Sequence, residues 1–254
     1  MADDVLKREL EYHEKLYSGF AQQHFARPAV RALRAHMAAR ILRTTGAGPA
    51  ARVLSLGCGI GDTELLLAPH VREVVGIDLS PAAVRQAKED AERAGVRNAR
   101  FVEGSLEKAE PGFDVVIAIF FLHHLTDDAL AHLPGTVAHL LSAGGAFYSL
   151  DPSRYRLSGM VGRLLIPKLM ERYQSEDERE LEPDATLQLF RRAGFEARVE
   201  RYDFVSSPLA GLAPGWRAGY RAARILDEVL VRTPLLARLG SNFEIVAQWS
   251  RRTS

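Results

Sequence analysis

The sequence predicts an α/β fold in which strands alternate with helices to build an open parallel sheet. Short apolar runs recur along the middle of the chain, at residues 52–56, 73–77, 99–102, 113–119 and 146–150. Helical patterns lie between these runs, and glycines or prolines mark many of the boundaries. Such alternation over residues 52–151 is typical of a parallel sheet with right-handed crossover connections.

Composition limits the kind of protein. The 254 residues are 47% hydrophobic and 26% charged, which fits one ordinary globular domain with additions. Cys58 is the single cysteine, so an internal disulfide is excluded and a reducing compartment is favoured. Without an apolar stretch of about 18 residues or a leader-like start, we expect a cytoplasmic protein. The net charge of +1 gives no reason to expect a nucleic acid partner.

Two amphipathic helices are expected before the first strand. Residues 3–23 have apolar side chains at helical spacing, and Pro28 begins a second helix. Basic side chains lie along this region and have two open interpretations, a solvated helix face or a contact with an anionic partner such as a lipid headgroup. These are Arg27, Arg31, Arg34, Arg40 and Arg43.

The segment 52–78 has the layout of a nucleotide-type ligand site. A strand leads into three glycines, a helix of about residues 62–68 follows, and a second strand ends at Asp78. Asp78 could accept hydrogen bonds from ribose hydroxyls. A dinucleotide loop would need glycine where Asp62 stands, and an acid beside a pyrophosphate is unfavourable. We expect Asp62 to cap the helix or to lie in its first turn.

The remaining elements follow in order. Ser80 and Pro81 predict the start of a helix that Gly95 ends, and Thr126 with Asp127 predicts a helix to about residue 141. The strand at 146–150 ends at Asp151. Beyond it the pattern predicts a helix at 184–193 and strands at 195–204 and 243–249.

Two insertions interrupt this plan, at about residues 152–183 and 205–241. The second is about 37 residues long, which suggests a functional role. Its segment 216–230 predicts a basic amphipathic helix with Trp216, Tyr220, Ala223, Leu226 and Leu230 along one face. Three interpretations stay open: packing on the sheet or on a partner subunit of a homodimer, a lid over an apolar substrate, or peripheral membrane or lipid contact through residues 216–238.

Three motifs resemble those of the class I S-adenosylmethionine-dependent methyltransferases. They are LGCGIG at 56–61, VVGIDLS at 74–80 and FDVVIAIFFLHHL at 113–125, the last similar to the quinone-biosynthesis and methyltransferase type 11 group. The resemblance implies a Rossmann-like sheet of seven strands with an antiparallel last strand. It also implies N-terminal helices at 1–46 that act as a lid, and a methyltransferase domain at 47–254. The two helical insertions in that domain are rich in apolar residues and suggest a cap over a hydrophobic or lipid-like acceptor.

The resemblance assigns S-adenosylmethionine as cofactor, with S-adenosylhomocysteine as product. Ser55 and Ser105 stand where the family commonly has acids, so their contacts differ from the family pattern. The expected substrate residues are His24, Phe121 and Tyr155. The expected cofactor residues are Tyr17, Ser55, Gly57, Cys58, Gly59, Gly61, Asp78, Leu79, Ser105, Leu106, Ala118 and Ile119.

Methyl transfer needs alignment of the reactants and, for some acceptors, a base. A histidine has a suitable pKa, and we favour His124 slightly over His123, with a purely structural role for both as the alternative. Asp151 is the other candidate base, or else a turn residue. Cys58 is interpreted as a small buried residue rather than a nucleophile, and no residue spacing matches a metal site.

The acceptor is the least determined part of the prediction. The first hypothesis is a small, apolar or lipid-like molecule that is methylated on oxygen, nitrogen or carbon. The second is RNA or protein, which only the basic N-terminal helices favour. The third is a cofactor-binding protein without activity, for which the serines at positions 55 and 105 are the only indication.

Overall fold

A seven-stranded mixed sheet forms the centre of the molecule. The computed structural model describes His24 and residues 26–106, 109–165 and 180–250. Strand order across the sheet is β3-β2-β1-β4-β5-β7-β6, and β7 runs antiparallel to both of its neighbours while the other pairs are parallel. The strands are β1 (Arg52–Leu56), β2 (Glu73–Asp78), β3 (Ala99–Glu103), β4 (Phe113–Ile119), β5 (Leu141–Pro152), β6 (Glu196–Asp203) and β7 (Asn242–Gln248).

Helices cover both faces of the sheet. The described α-helices are α1 (Pro28–Thr45), α2 (Glu64–Leu67), α3 (Pro81–Arg93), α4 (Asp127–Leu140), α5 (Leu157–Leu165), α6 (Pro183–Arg192), α7 (Ser206–Leu212), α8 (Arg217–Leu230) and α9 (Pro234–Ala237). In the described ranges, none of these helices is long and apolar enough to cross a bilayer.

The core has two main layers, one on each face. On one face, α4 and α6 bury side chains such as Leu133 and Phe190 against the sheet. On the other, α1, α7 and α8 contribute Met37, Ala210 and Tyr220. The strands in the middle are therefore buried on both faces, which explains the nearly continuous apolar run of β4.

Helix boundaries follow the signals in the sequence. Pro28 begins α1, which ends where Gly46 takes a left-handed conformation (φ 71°). The Ser80 hydroxyl accepts a hydrogen bond from the Ala83 N–H, and the Thr126 hydroxyl accepts one from the Ala129 N–H. These predicted helix starts are confirmed.

The helix after the glycines differs from the prediction. It is a single turn, α2, followed by a 3₁₀ turn over Ala68–His70, and its N-cap residue is Thr63. Asp62 therefore does not cap this helix, and the prediction was wrong. Its carboxylate instead forms an ion pair with Arg34 of α1 at 2.8 Å.

The basic residues of α1 do not form one solvated face. Arg27, Arg31 and Arg43 are exposed, but Arg34 and Arg40 are mostly buried. The Arg40 guanidinium contacts the carboxylate of Glu244, which has no exposed surface, at 2.6 and 2.7 Å, and donates to Glu200 at 2.8 Å. Charge pairing within the protein thus fixes α1 to β6 and β7.

Helix α8 is rotated relative to its predicted face. Tyr220, Ala223 and Asp227 are buried, whereas Trp216 and Leu226 are exposed. The Asp227 carboxylate accepts hydrogen bonds from the N–H groups of residues 204, 205 and 206 at 3.1, 2.9 and 3.0 Å. A polar side chain therefore decides which side of α8 faces the protein, and the hydrophobic pattern alone did not reveal it.

Candidate functional site

The candidate site lies where β1, β2 and β4 end, at one edge of the sheet. Parallel strands place their carboxyl ends together, and ligands of open α/β sheets bind at this edge. Between β1 and α2 the glycines at 57, 59 and 61 all have positive φ angles of 66°, 52° and 74°. The N–H groups of Gly57 and Cys58 both donate to the Ile77 carbonyl, at 2.8 and 3.1 Å. The loop is therefore tied to the end of β2.

Two of the glycines also allow close packing. A Cβ at Gly57 would collide with the Phe121 ring, and a Cβ at Gly61 would lie 2.6 Å from the Phe101 ring. Both positions therefore require glycine for conformation and for space. The contact at Gly57 also places Phe121, a predicted substrate residue, directly against the glycine loop.

Asp78 joins the glycine loop to the end of β2. Its carboxylate accepts from the Gly59 N–H at 2.7 Å and from the Ser80 N–H at 2.9 Å. Each carboxylate oxygen keeps acceptor capacity after one such bond, and the residue is only half-buried. Leu79, beside it, is 42% exposed, as suits an apolar surface for a flat ligand.

The chain after β3 meets the same edge. The Gly104 N–H donates to the Asp78 carbonyl at 2.9 Å, and Ser105 and Leu106 follow in half-buried positions. Ala118 and Ile119 end β4, where both are buried. All of these predicted cofactor residues therefore lie at the edge that the glycine loop defines.

Cys58 has a structural position inside the loop. Its side chain packs on Gly76 of β2, where a Cβ would come within 2.7 Å of the sulfur. Burial, with smaller contributions from the carboxylates of Glu64 and Asp78, raises the pKa of the Cys58 thiol well above its usual value. A thiol in this environment is a poor nucleophile.

Ser55 and Glu64 form a buried polar pair beneath the loop. The Ser55 hydroxyl donates to Glu64 Oε1 at 2.6 Å, and the two residues are 1% and 2% exposed. Burial raises the pKa of Glu64 to about 7. Sequence reasoning missed Glu64, although an acid in the apolar run ELLL was a signal that could have identified it.

Arg34 connects α1 to the same edge. Besides its ion pair with Asp62, its guanidinium carbon lies 5.8 Å from the centre of the Phe120 ring, and Phe120 has an unusual positive φ of 52°. Burial, followed by the charges of Arg34 and Arg27, lowers the pKa of His24. The predicted substrate residue His24 is thus influenced by the charge of Arg34.

His123 and Asp151 meet across the ends of β4 and β5. His123 Nδ1 lies 2.9 Å from Asp151 Oδ1, and the His123 N–H donates to the same oxygen at 3.3 Å. Asp151 has no exposed surface, and its Oδ2 has no hydrogen-bond partner in the described part of the chain. A carboxylate on Nδ1 holds one tautomer, with Nε2 as the basic nitrogen.

The other predicted site residues are placed differently. The His124 ring lies 4.0 Å from that of His123, centre to centre, and is half-buried. Tyr155 lies three residues after β5, is 44% exposed, and has its ring 5.9 Å from the guanidinium carbon of Arg154. Tyr17 lies outside the described residues.

The strand order and the glycine-loop edge define a Rossmann-like α/β protein with the fold of class I S-adenosylmethionine-dependent methyltransferases. Residues 53–145 match the family model "Methyltransferase domain". The segment that is similar to this family runs from β1 to the start of β5.

Two bacterial proteins that are named as methyltransferases are similar in sequence to part of this chain. An uncharacterized methyltransferase, YcgJ, of Bacillus subtilis (strain 168) is 34% identical over 103 residues, which are 39% of this chain and 40% of YcgJ. A 23S rRNA (uracil-C5)-methyltransferase, RlmD, of Aeromonas salmonicida is 42% identical over 88 residues, which are 32% of this chain and 20% of RlmD. The chain thus spans less than half the length of either protein.

The fold extends beyond that shared segment. The magnesium protoporphyrin IX methyltransferase ChlM of Synechocystis, solved with bound SAH, superposes with a TM-score of 0.60 at 17% identity. The superposition covers 91% of this chain and 88% of ChlM. The predicted sheet of seven strands with an antiparallel last strand is confirmed.

Proposed function

We propose that the protein transfers a methyl group from S-adenosylmethionine to a small, apolar or lipid-like acceptor. The observation that supports this most is the glycine loop, whose Gly59 N–H fixes the Asp78 carboxylate at the end of β2. Asp78 would accept hydrogen bonds from the ribose hydroxyls, and Leu79 would cover one face of the adenine. When bound, the cofactor supplies an activated methyl group on a sulfonium.

The remaining edge residues fit that ligand. The glycines at 57, 59 and 61 have positive φ angles that turn the backbone sharply at this edge, which would bring backbone groups toward the cofactor. Leu106, Ala118 and Ile119 would offer apolar contacts or backbone groups. Ser105 would contact the adenine region through its hydroxyl or backbone.

The proposed domain division has two parts. Residues 1–46 form a lid, and residues 47–254 form the catalytic domain. Insertions at about 152–183 and 205–241 form a cap on that domain.

His123 is the residue that we propose as the acid–base group. Asp151 holds its Nδ1 at 2.9 Å, which leaves Nε2 as the nitrogen able to accept a proton from the acceptor. Sequence reasoning favoured His124 slightly, but the geometry favours His123, because its Nδ1 contacts the buried carboxylate of Asp151. We assign His124 and Phe121 to the acceptor side of the site, together with His24.

The test is a scan of acceptors with purified protein, read as methyl incorporation by mass spectrometry. Apolar phenols, quinols, amines and unsaturated lipids should include a substrate, and bulk RNA and protein should not. With a substrate in hand, His123→Gln should lower turnover by about 10²-fold or more, because general base catalysis contributes about 10²- to 10⁴-fold.

A matched control accompanies that variant. His139→Ala changes an exposed histidine of α4 and should leave turnover unchanged. Cofactor affinity should stay near the wild-type value in both variants. Wild-type turnover in His123→Gln would contradict the assignment of the base.

Exposed apolar side chains around α8 support the proposal that the protein binds a membrane or lipid surface. Ile225 and Val229 are 68% and 62% exposed, and Leu212, Trp216, Leu226 and Leu236 are also exposed. Four arginines in the same connection are exposed, at positions 217, 221, 232 and 238. Apolar and cationic side chains together favour an anionic bilayer over a purely apolar partner.

Vesicle cosedimentation tests this surface. We expect binding to vesicles that contain anionic lipid, weak binding to neutral vesicles, and loss of binding in the double variant Ile225→Asp, Val229→Asp. Equal sedimentation of the variant and the wild type would remove the proposal. A concentration-dependent dimer that the same substitutions dissociate would instead assign the surface to a homodimer.

RNA is the second acceptor class to test, because relatives such as RlmD are named as rRNA methyltransferases. Methylation of ribosomal RNA in the acceptor scan would favour RNA as the acceptor.

We also propose a cytoplasmic location, with the single buried cysteine as its support.

A further inference from the structure

An unusual backbone conformation lies between the glycine loop and the proposed base. Phe120 has a φ angle of 52° and is the single residue other than glycine with a positive φ in the described part of the chain. At such an angle the Cβ of a bulky residue crowds the backbone, and the conformation is kept only where surrounding contacts enforce it. Phe120 follows β4 directly, so this bend lies at the edge where the cofactor is proposed to bind.

The chain after this bend is fastened to the end of β5 at two points. The Phe120 N–H donates to the Leu150 carbonyl at 2.7 Å. The N–H and the ring of His123 both contact the carboxylate of Asp151, which is the next residue of β5. Residues 122–124 between them form a 3₁₀ turn. Because the connection is so short, the direction in which the chain leaves Phe120 determines where the His123 ring lies.

Two neighbouring rings hold the bend on opposite faces of the sheet. Phe120 packs with the core layer that contains α1, and Phe121 packs with the layer that contains α4. The Phe121 ring also lies so close to Gly57 that it leaves no room for a Cβ there. The backbone of the bend is therefore enforced by packing on both sides.

Arg34 of α1 connects the Phe120 ring to the glycine loop. Its guanidinium carbon lies 5.8 Å from the ring centre, a distance at which a cation is attracted to an aromatic ring. The same side chain pairs with Asp62, the residue after Gly61, at 2.8 Å. The side chains of this ion pair are 15% and 23% exposed, so solvent screens the pair only in part.

We infer that Phe120 and Arg34 are positioning residues for methyl transfer, an inference that rests on the proposed function. The Phe120 ring fixes the bend, and the bend brings His123 to Asp151. Arg34 holds that ring and ties it to the loop that would carry the cofactor. Neither side chain has to touch the acceptor or the methyl group. The competing explanation is that position 120 only has to tolerate a positive φ, in which case glycine would serve equally well.

Nuclear magnetic resonance of the imidazole nitrogens tests the position of His123 without an acceptor. In protein labelled with ¹⁵N-histidine, at alkaline pH, the wild type should show a proton on His123 Nδ1, and His123→Gln assigns the signal. Phe120→Gly should lose this signal, because glycine permits the φ angle but has no ring to enforce it. Phe120→Tyr keeps the ring and should retain the signal.

Turnover separates positioning from cofactor binding once an acceptor is known. Phe120→Gly should lower kcat by about tenfold or more, because a shift of about 1 Å in a reacting group can cost about 10²-fold. Its affinity for S-adenosylhomocysteine should stay within about twofold of the wild type. Phe120→Tyr should restore kcat.

A second variant tests the cation. Arg34→Met leaves Phe120 in place and removes the charge above its ring, so it should weaken the His123 signal and lower kcat by a smaller factor. Arg31→Met, on the exposed side of α1, is the matched control and should change neither quantity. Thermal melting identifies a folding defect in Phe120→Gly, and Arg34→Met then provides the test.

The outcomes separate this inference from the proposed function. A wild-type His123 signal and a wild-type kcat in Phe120→Gly would overturn the inference, and so would a wild-type protein whose His123 lacks the Nδ1 proton. Failure of the wild type to bind S-adenosylmethionine or S-adenosylhomocysteine would instead overturn the proposed function. The histidine signals would still report the position of His123 in that case.

Discussion

The glycine loop and the connection between β6 and β7 are both irregular, but they are held in place by different means. The loop is fixed by the conformation of its backbone, with three positive φ angles, and by backbone hydrogen bonds to β2. The connection is fixed by buried acids, Asp203 and Asp227, that bind backbone or side chains about 20 to 40 residues away. Backbone conformation and backbone hydrogen bonds thus shape the loop, and buried side-chain carboxylates shape the connection.

The difference has a consequence for function. A loop made of glycine and backbone bonds presents the same geometry whatever side chains surround it, which suits a common cofactor. A connection that depends on a few buried carboxylates can have any sequence on its outer face. The exposed apolar and basic surface of α8 fits this freedom.

The largest expected effect concerns the connection. Asp227→Ala removes the acceptor of three N–H groups, two of them on buried residues, and should lower the free energy of unfolding by about 3 to 5 kcal/mol. Urea unfolding followed by circular dichroism measures it. Glu228→Ala, one residue further and exposed, should change stability by less than about 0.5 kcal/mol. If both variants are equally stable, Asp227 does not anchor the connection.

Near the glycine loop, substitution of Glu64 should change the free energy of unfolding in the opposite direction. Its pKa in the folded protein, about 7, lies above the ordinary 4.5, so the folded state binds the proton more tightly. The wild type therefore loses up to about 3 kcal/mol of stability as the pH rises from 4.5 to 7, and Glu64→Gln avoids that loss.

Unfolding of the two proteins at several pH values checks this sign. Glu64→Gln should be the more stable protein at pH 8 by about 3 kcal/mol and should equal the wild type near pH 4.5. A variant less stable than the wild type at pH 8 would show that the ionised carboxylate stabilises the fold. The prediction would then have the wrong sign.

Substitution of Asp78 should give the smallest change in free energy. This change should be specific to ligand binding. Asp78→Ala should weaken S-adenosylhomocysteine binding by about 1 to 3 kcal/mol, because charged hydrogen bonds to the ribose are lost. The loop also loses the partner of the Gly59 N–H. Glu89→Ala, exposed on α3, serves as the control, and equal affinities of the two variants would remove Asp78 from the site.

The sequence predicted the cofactor side in detail because its determinants are local. The bounds of β1 and β4 agree with the prediction, and Gly57 and Asp78 lie at the predicted edge. Glycines and cap residues act within a few positions of themselves, so their pattern is visible in a short stretch. The confirmed caps at Ser80 and Thr126 have the same origin.

The remaining features could not be predicted because they join distant residues. Asp62 pairs with Arg34 of α1, and His123 pairs with Asp151, which is 28 positions away. The rotation of α8 depends on Asp227, whose three partners lie at the start of α7 and just before it. A single sequence shows which residues are charged, but it does not show which of them are in contact in the fold.

Calorimetry of the wild-type protein tests the central claim most directly. We predict that it binds S-adenosylmethionine and S-adenosylhomocysteine at one site, and that Asp78→Ala weakens both. Failure to bind either ligand, in a protein shown by circular dichroism to be folded, would contradict the account.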